Sequence, residues 1–128
     1  MSEPFWLTRQ IIVAIHDEQL AIHGGANGLR DDGMLESALD RPKNRWANEE
    51  TELAELAAAY AFGMARNHPF VDGNKRTSLL ALYTFLGVNG VDFVVPEAEA
   101  AAMILALAAG EVSEEGLTRW IRDNWPFQ

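Results

Sequence analysis

Cysteine is absent from the 128-residue sequence, which excludes disulfide bonds and thiolate chemistry and is compatible with a reducing cytosol. No apolar run reaches the roughly 20 residues that a membrane-spanning helix needs. The first residues, Met1 to Trp6, lack a basic segment followed by an apolar stretch, so we expect no secretory signal. These absences together predict a cytoplasmic protein with no membrane partner.

Positive charge is scarce as well, since Lys and Arg together number 10 against 19 Asp and Glu, and the formal net charge is −9. An acidic surface repels the phosphate backbone of nucleic acids, so we expect no direct nucleic-acid partner. On this background the adjacent cations Lys75 and Arg76 indicate a site for a small anion. Hydrophobic residues make up 48% of the chain, enough for one core, and we expect a single domain over residues 1–128.

Helical periodicity accounts for most of the remaining sequence. Thr8 and Ser113 are suitable N-caps, and Gly24-Gly25 and Gly110 are suitable helix ends. The predicted helices cover about residues 8–22, 31 or 32–39, 51–67, 74–86, 96–109 and 113–123. The helix that begins near Asn74 has almost no polar face, which predicts a central, buried position. The fold class is therefore all-α, a helical bundle around a buried central helix.

Two segments between these helices are predicted to be irregular or extended. Pro42 should end the second helix because proline lacks a backbone N–H, and the polar residues 43–51 should form a loop. Trp46 in this loop is a candidate for partner contact, and the Arg41–Glu50 region is a candidate for positioning a target chain. Val91–Val95 is predicted to be a short extended piece.

Residues 68–77 read His-Pro-Phe-Val-Asp-Gly-Asn-Lys-Arg-Thr and combine a base, a carboxylate, a Gly-Asn pair and two cations. Gly73 and Asn74 stand where a loop becomes a helix, and the free N–H groups of a helix start favour a phosphate. Cations in the first turn are unfavourable for the helix itself, so Lys75 and Arg76 make more sense beside a bound anion. The alternative, two solvated side chains, stays open.

The other histidines and motif residues are interpreted by their chemistry. Asp72 can hold one site of an octahedral Mg²⁺, or it can act as the N-cap of the following helix. His68 can accept a proton from a substrate hydroxyl, or it can be an ordinary loop histidine. Phe70 is predicted to be a buried anchor of the loop. His16 and His23 are assigned packing or surface roles in preference to catalysis.

The run from His68 to Arg76 resembles the signature of Fic/Doc proteins, and specifically of the death-on-curing (Doc) toxin branch. The resemblance covers nearly the whole chain, because other segments look like that branch too: His16-Asp17, Gly24-Gly25, Gly28-Leu29-Arg30-Asp31, Leu35-Glu36-Ser37-Ala38-Leu39 with Arg41-Pro42, and Asn89-Gly90. It implies an all-α Fic/Doc fold in which His68 is the general base and Asp72 the Mg²⁺ ligand. Gly73-Asn74 would be the anion nest, and Arg76 would contact nucleotide phosphate.

Two departures from the common Fic pattern bear on the activity that the resemblance implies. Most Fic enzymes transfer AMP to a hydroxyl side chain, and they usually carry Gly where this chain has Lys75 and Arg where it has Leu79. In the Doc branch the nucleotide is thought to bind in a reversed sense, with the γ-phosphate facing the hydroxyl. The resemblance therefore implies a kinase that uses ATP and Mg²⁺ to phosphorylate a translation factor similar to elongation factor Tu, which inhibits translation. A Fic-type protein adenylyltransferase and a non-catalytic Fic-fold binding module are the alternatives.

The resemblance also implies a regulatory partner. Many Fic proteins carry an inhibitory helix with the pattern Ser/Thr-x-x-x-Glu-Gly/Asn, which Thr51 and Glu55 match until Leu56 breaks it. We interpret these residues as part of an ordinary amphipathic helix. A toxin without self-inhibition needs restraint in trans, and Doc proteins are restrained by a Phd-type antitoxin whose C-terminal segment folds into a groove of the toxin. A Phd-like antitoxin is therefore the expected partner.

Overall fold

Six α-helices make up most of the computed structural model, which describes residues 2–48 and 51–127. They are α1 (Arg9–His23), α2 (Asp32–Asn48), α3 (Leu53–Asn67), α4 (Asn74–Val88), α5 (Glu97–Ala108) and α6 (Glu114–Asp123). This part of the chain contains no β-strand, and an isolated antiparallel bridge joins Leu29 to Phe70. The all-α class that the sequence predicts is confirmed. None of the described helices is both long enough and apolar enough to cross a membrane.

Local capping signals define three of the helix starts. Thr8, Asp31 and Ser113 each accept, through a side-chain oxygen, the backbone N–H of the third residue along, at 3.2, 3.0 and 3.0 Å. Each bond satisfies one of the N–H groups that a helix start leaves unpaired. Asp31, and not Asp32, therefore caps α2. Gly24 follows α1 with a φ of 76° and a ψ of −179°, a conformation that is open to glycine because it has no Cβ.

The predicted end of the second helix at Pro42 is wrong, because α2 continues to Asn48. Pro42 is buried inside α2, where its missing N–H cannot make a helical hydrogen bond. Packing against α3 compensates, since α2 lies along α3 at short range. A Cβ built on Gly63 of α3 would be only 3.0 Å from the Cβ of Ala38. Tertiary burial here overrides the local preference of proline.

The loop predicted at residues 43–51 is wrong over residues 43–48, which belong to α2; Glu49 and Glu50 lie outside the described residues. The second half of α2 is tied to the start of α6 by charge. Arg41 and Arg45 donate to the two carboxylate oxygens of the buried Glu114, at 2.5 and 3.0 Å. The Arg41–Glu50 region is therefore mostly a packed helix and not a free loop.

Trp46 lies in α2, and its side chain packs against other aromatic residues of the molecule. Its ring is half-buried, and its centroid lies 6.4 Å from that of Trp6 in an edge-on contact. Trp6 in turn stacks on Phe85 of α4 at 6.2 Å. The prediction that Trp46 contacts a partner thus loses its basis, because internal aromatic packing accounts for this side chain.

The extended piece predicted at Val91–Val95 is not a strand. The segment alternates buried and exposed residues, with Val91 and Phe93 in the core and Asp92 and Val94 outside. That alternation is the usual strand signal. The bridge between Leu29 and Phe70 is elsewhere, so within the described residues this segment has no ladder partner and remains irregular.

The most enclosed helix is α3, which packs against α2, α4, α5 and α6. Ten of its residues are buried: Ala54, Leu56, Ala57, Ala58, Ala59, Tyr60, Ala61, Gly63, Met64 and Ala65. The many alanines allow neighbouring helices to approach on several sides. The sequence predicts this central position for α4 instead, but α4 exposes Lys75 and Arg76 at its start and Val88 at its end. The loop between α3 and α4 carries residues 68–73, so the motif lies where the two innermost helices meet.

Candidate active site

Two left-handed residues shape the loop between α3 and α4. His68 ends α3 with a φ of 48°, and Gly73 precedes α4 with a φ of 80°. Pro69 disfavours helical geometry at the residue before it, which explains why α3 stops at Asn67. Among the described residues no side chain caps α4. The first N–H groups of α4 are therefore available to a ligand.

Asn74 holds the loop in this shape. Its Oδ1 accepts the Phe70 N–H at 3.0 Å, and its Nδ2 donates to the Phe70 carbonyl at 2.9 Å. The same Nδ2 lies 3.5 Å from Nδ1 of His68, at the limit of a hydrogen bond. This contact is too long to fix the histidine tautomer, so both ring nitrogens of the exposed His68 stay available for proton transfer.

Phe70 is buried, as the sequence predicts, with 3% of its surface exposed. Its ring stacks almost parallel on the buried imidazole of His16, with centroids 3.8 Å apart and an interplanar angle of 9°. His16 Nε2 donates to the Asp72 carbonyl at 2.7 Å, which requires a proton on that nitrogen. His16 therefore has the packing role that the sequence assigns, and it also fixes the loop backbone beside Asp72. His23 lies exposed at the end of α1.

Asp72 does not cap α4, so that interpretation is wrong. Its Oδ1 accepts the N–H of the adjacent Gly73 at 2.8 Å, and its Oδ2 accepts the Ala26 N–H at 3.3 Å. A carboxylate has about four lone-pair positions, so at least one remains free on each oxygen. The Asp72 side chain is exposed, in a position to offer these lone pairs to a ligand.

A cavity of about 510 Å³ collects the polar motif residues. His68, Asp72, Gly73, Asn74, Lys75 and Arg76 all line it. The rest of the lining is apolar: Val71 from the motif loop, Leu79 from α4, and Ala101, Ile104 and Leu105 from α5. Phe70 lies beneath this cavity and not in its lining. The structure thus brings together every residue that the sequence proposes for proton transfer, anion binding or metal binding.

Sequence reasoning missed three contributors to this site. The loop from Gly24 to Asp31 packs on the motif, with Arg30 donating to the carbonyls of Asn67 and His68. The His16 contact was also missed, although its position four residues after the buried Ile12 is a signal for the inner face of α1. The wall from α5 has no signal in the sequence, since it depends on how distant helices pack.

Thr51 and Glu55 are not at this site. Thr51 is buried just before α3, and Glu55 forms ion pairs with Arg45 at 3.5 Å and Arg122 at 3.1 Å. These contacts agree with the interpretation of this stretch as an ordinary helix. In the described part of the chain no group of three or more His, Asp or Glu side chains could hold a metal ion. Any metal here would have Asp72 as its single carboxylate and would need ligands from a substrate.

An all-α fold that presents an imidazole and a carboxylate beside an uncapped helix start agrees with the Fic/Doc resemblance of the motif. The model of the Fic/DOC family matches residues 6–86. The chain is 38% identical over 112 residues to "Protein kinase doc" of Escherichia phage P1, which covers 87% of this chain and 88% of that protein. It is 44% identical over 82 residues to "Toxin Doc" of Mycolicibacterium smegmatis (strain ATCC 700084 / mc(2)155), covering 59% and 63%. The chain belongs to the Fic/Doc family, and these relatives place it in the Doc branch.

Proposed function

We propose that this protein is the toxin of a toxin–antitoxin module and transfers the γ-phosphoryl group of ATP to a hydroxyl side chain of a translation factor. The names of the relatives, "Protein kinase doc" and "Toxin Doc", support a protein-modifying toxin. A protein similar to elongation factor Tu is the proposed target, and a Phd-like antitoxin is the proposed partner. The proposal places the protein in the cytoplasm as a single domain.

The observation that carries this proposal is the charge pattern at the start of α4. In the described residues, α2, α3, α5 and α6 each have an acidic residue in the first turn, as the helix dipole favours, whereas α1 and α4 have none. Arg9 at the start of α1 is neutralised by Asp32 and Glu36, but Lys75 and Arg76 at the start of α4 form no ion pair with a described residue. Because these cations lie at an uncapped helix start, they and the free N–H groups face one cavity. That combination favours a polyphosphate over any neutral ligand.

The donor set also suits a divalent cation bound together with phosphate. Asp72 keeps free lone pairs on both oxygens, and within residues 2–48 and 51–127 it is the single carboxylate that lines the cavity. Mg²⁺ is usually bound by one or two carboxylates with substrate phosphates and waters completing the octahedron. Mg²⁺ held through Asp72 would offset negative charge on the phosphates during transfer.

The protein's own residues then have distinct roles. His68 accepts the proton of the target hydroxyl, for which the ring nitrogens are free of strong partners. Lys75, Arg76 and the free N–H groups of the first turn of α4, beginning with that of Asn74, hold the phosphates, so the reacting oxygen lies near the imidazole. The Gly73 N–H is already bonded to Asp72 Oδ1, so Gly73 contributes its left-handed turn and not a donor. The apolar wall from α5 keeps water away from one side of the cavity. Catalysis of this kind depends on positioning and electrostatics more than on covalent chemistry.

Adenylyl transfer is the second candidate, because His68, Asp72 and Asn74 would serve it equally well. Lys75 argues against it, since its long side chain occupies space at the cavity that a glycine would leave open. Leu79 argues against it as well, because it adds an apolar surface where an arginine would add a phosphate contact. These two residues favour the phosphoryl group.

The deciding experiment incubates the protein with elongation factor Tu and ATP labelled at either the α- or the γ-phosphate. We expect label on the target from γ-labelled ATP alone, and mass spectrometry should detect a phosphate-sized adduct. Label from the α-position with an AMP-sized adduct would replace this proposal by the second candidate. Asp72→Asn is the control for dependence on Mg²⁺.

A growth assay distinguishes the two candidate transferase activities from a non-catalytic binding module. Expression of the protein should arrest growth, and co-expression of a Phd-like antitoxin should restore it. His68→Ala should abolish the arrest. If His68→Ala remains equally toxic, the chain acts by binding, and both transferase proposals fail.

A further inference from the structure

His68 has a backbone conformation that needs external support. Among the described residues it is the one non-glycine residue with a positive φ, at 48°. The left-handed conformation is unfavourable for a residue with a Cβ and persists where surrounding contacts hold it. Because the backbone at His68 sets the direction of its Cα–Cβ bond, the contact that holds this conformation also aims the imidazole.

Arg30 supplies that contact from a different part of the chain. Its Nε donates to the His68 carbonyl at 2.6 Å, and its Nη2 donates to the Asn67 carbonyl at 2.9 Å. The last carbonyls of a helix have no helical partner, and a cation is favourable at that end of the dipole. The guanidinium is a rigid fork of donors, so two neighbouring carbonyls held at once have a fixed relative orientation.

The backbone around Arg30 is itself docked on the motif. The N–H groups of Arg30 and Asp31 both donate to the Pro69 carbonyl, at 2.7 and 3.0 Å. The Val71 N–H donates to the Gly28 carbonyl at 3.0 Å. Asp31 also caps α2 at 3.0 Å, which joins this loop to a packed helix. The backbone of Arg30 is therefore held by the motif loop and by the start of α2, and its side chain extends from this fixed position to His68.

These contacts differ from those of most other arginines in the described structure. Arg9, Arg41, Arg45 and Arg122 pair with carboxylates. The recorded partners of the Arg30 side chain are two consecutive main-chain carbonyls, and the second belongs to the residue that presents its imidazole to the cavity. A surface charge does not require bonds to two consecutive main-chain carbonyls, so this pair of bonds indicates a structural role for Arg30.

We infer that Arg30 is a positioning residue that fixes the backbone of His68 and thereby aims its imidazole into the cavity. The catalytic consequence of this inference rests on the proposed function, whereas the structural consequence does not. Arg30 touches neither substrate nor nucleotide in this account. Its loss should disturb proton transfer and leave phosphate binding intact.

The first test is independent of any activity. The chain has three histidines, so the ring nitrogens of a ¹⁵N-histidine-labelled sample give a simple NMR spectrum, in which His68→Gln identifies the His68 signals. Arg30→Met should shift or broaden the His68 ring signals and leave those of the buried His16 unchanged. Arg66→Met is the matched control, because it removes the same charge from the last turn of α3, where Arg66 lies over Phe62. Unchanged His68 signals in folded Arg30→Met would overturn the inference.

A second variant covers the case in which Arg30→Met does not fold. Arg30→Lys keeps the positive charge but lacks the planar fork, so it cannot hold both carbonyls in the same geometry. We expect a smaller displacement of the same His68 signals. His68 signals identical to those of the unmodified protein in Arg30→Lys, together with an unfolded Arg30→Met, would mean that Arg30 acts on stability alone.

The second test measures transfer itself. Arg30→Met should lower kcat by about 10- to 100-fold, the loss typical of a slightly misplaced catalytic group, with little change in the KM for ATP. Arg30→Lys should recover part of the kcat, and Arg66→Met should match the unmodified protein. A full kcat in Arg30→Met would contradict the inference. If the unmodified protein transfers neither phosphate nor AMP, the proposed function fails, and the NMR result still decides the role of Arg30.

Discussion

The carboxylate of Asp72 lies against the backbone of a neighbouring loop, and a glycine makes this approach possible. A Cβ built on Gly25 would be 2.8 Å from Asp72 Oδ2 and 3.0 Å from a methyl group of Leu20. The same Oδ2 accepts the N–H of Ala26, the next residue. At the residue scale, the position of Asp72, the proposed metal ligand, therefore depends on residue 25 being a glycine, although the two residues are far apart in sequence.

This dependence predicts that Gly25→Ala displaces the Asp72 carboxylate and weakens Mg²⁺-dependent activity. Gly24→Ala is a matched control, because Gly24 also has a positive φ but has open space where a Cβ would be added. Both variants should lose about 1–3 kcal/mol of stability, because an L-residue is strained at these positive φ values. Gly25→Ala alone should need more Mg²⁺ for half-maximal transfer, and equal Mg²⁺ titration curves for the two variants would refute the steric argument.

His68→Ala should separate activity from stability. Loss of a general base typically costs about 10²–10⁴-fold in rate. The His68 side chain is exposed, so little packing is lost and the melting temperature should change little. Transfer assays and calorimetry on the same preparation measure both quantities, and a large drop in melting temperature would show that the residue is structural.

Phe70→Ala should lower the stability of the fold, because it removes a ring that is 3% exposed and stacked on His16. Truncation of a buried aromatic residue usually costs about 3–5 kcal/mol. Urea unfolding followed by circular dichroism measures this free energy. A loss near zero would contradict the anchor role that the sequence predicts for this residue.

At the scale of helices, the sequence predicts the six starts and every end but that of α2 to within about two residues. Thr8 and Ser113 could be assigned because a cap is a bond between near neighbours in the chain. Pro42 could not, because its burial against α3 is a long-range effect that a local rule does not include. The site divides in the same way. The contiguous residues 68–76 could be assigned together. Arg30 and His16 contact the motif backbone, and the α5 residues line the cavity, only after the helices pack.

The attachment of α2 to α6 gives a prediction at this scale. Glu114 is buried and accepts hydrogen bonds from Arg41 and Arg45, and both arginine side chains remain partly exposed. Glu114→Gln replaces one of the two accepting oxygens with an NH2 group, which cannot pair with a guanidinium, and removes the carboxylate charge from the bonds that remain. Hydrogen bonds to charged groups contribute about 1.5–3 kcal/mol each before screening by solvent. We expect a loss at the lower end of that range, measured by denaturant unfolding. Glu115→Gln, an exposed neighbour in the same turn, is the control and should be nearly neutral.

For the molecule as a whole, Tyr60 links stability to alkaline pH. Burial raises the pKa of Tyr60 to about 12, and its hydroxyl oxygen accepts the Leu7 N–H at 2.9 Å. Because the folded state favours the neutral phenol, this contribution is fully present below about pH 10, the pKa of an unfolded tyrosine. It is lost progressively as the pH rises from about 10 to about 12.

Tyr60→Phe should therefore be less stable than the unmodified protein at neutral pH, by about 1–3 kcal/mol for the unpaired Leu7 N–H. The difference between the two proteins should shrink as the pH rises above about 10, since only the unmodified protein has this phenol to ionise. Unfolding free energies measured from pH 7 to pH 11 test this. A constant difference over that range would mean that the phenol ionises equally well in both states.

Hydrogen bonds attach the segment before α1 to α3 and to the end of α4. Asn89 accepts the Phe5 N–H at 2.8 Å and donates to the Phe5 carbonyl at 3.0 Å, and Leu7 bonds to Tyr60. Trp6 is then wedged between Trp46 and Phe85. The molecule consequently contains an intrinsic optical reporter: indole emission should redden when this segment detaches. Fluorescence could thus follow loosening of the N-terminal segment in real time, without an added dye and before the helices themselves melt.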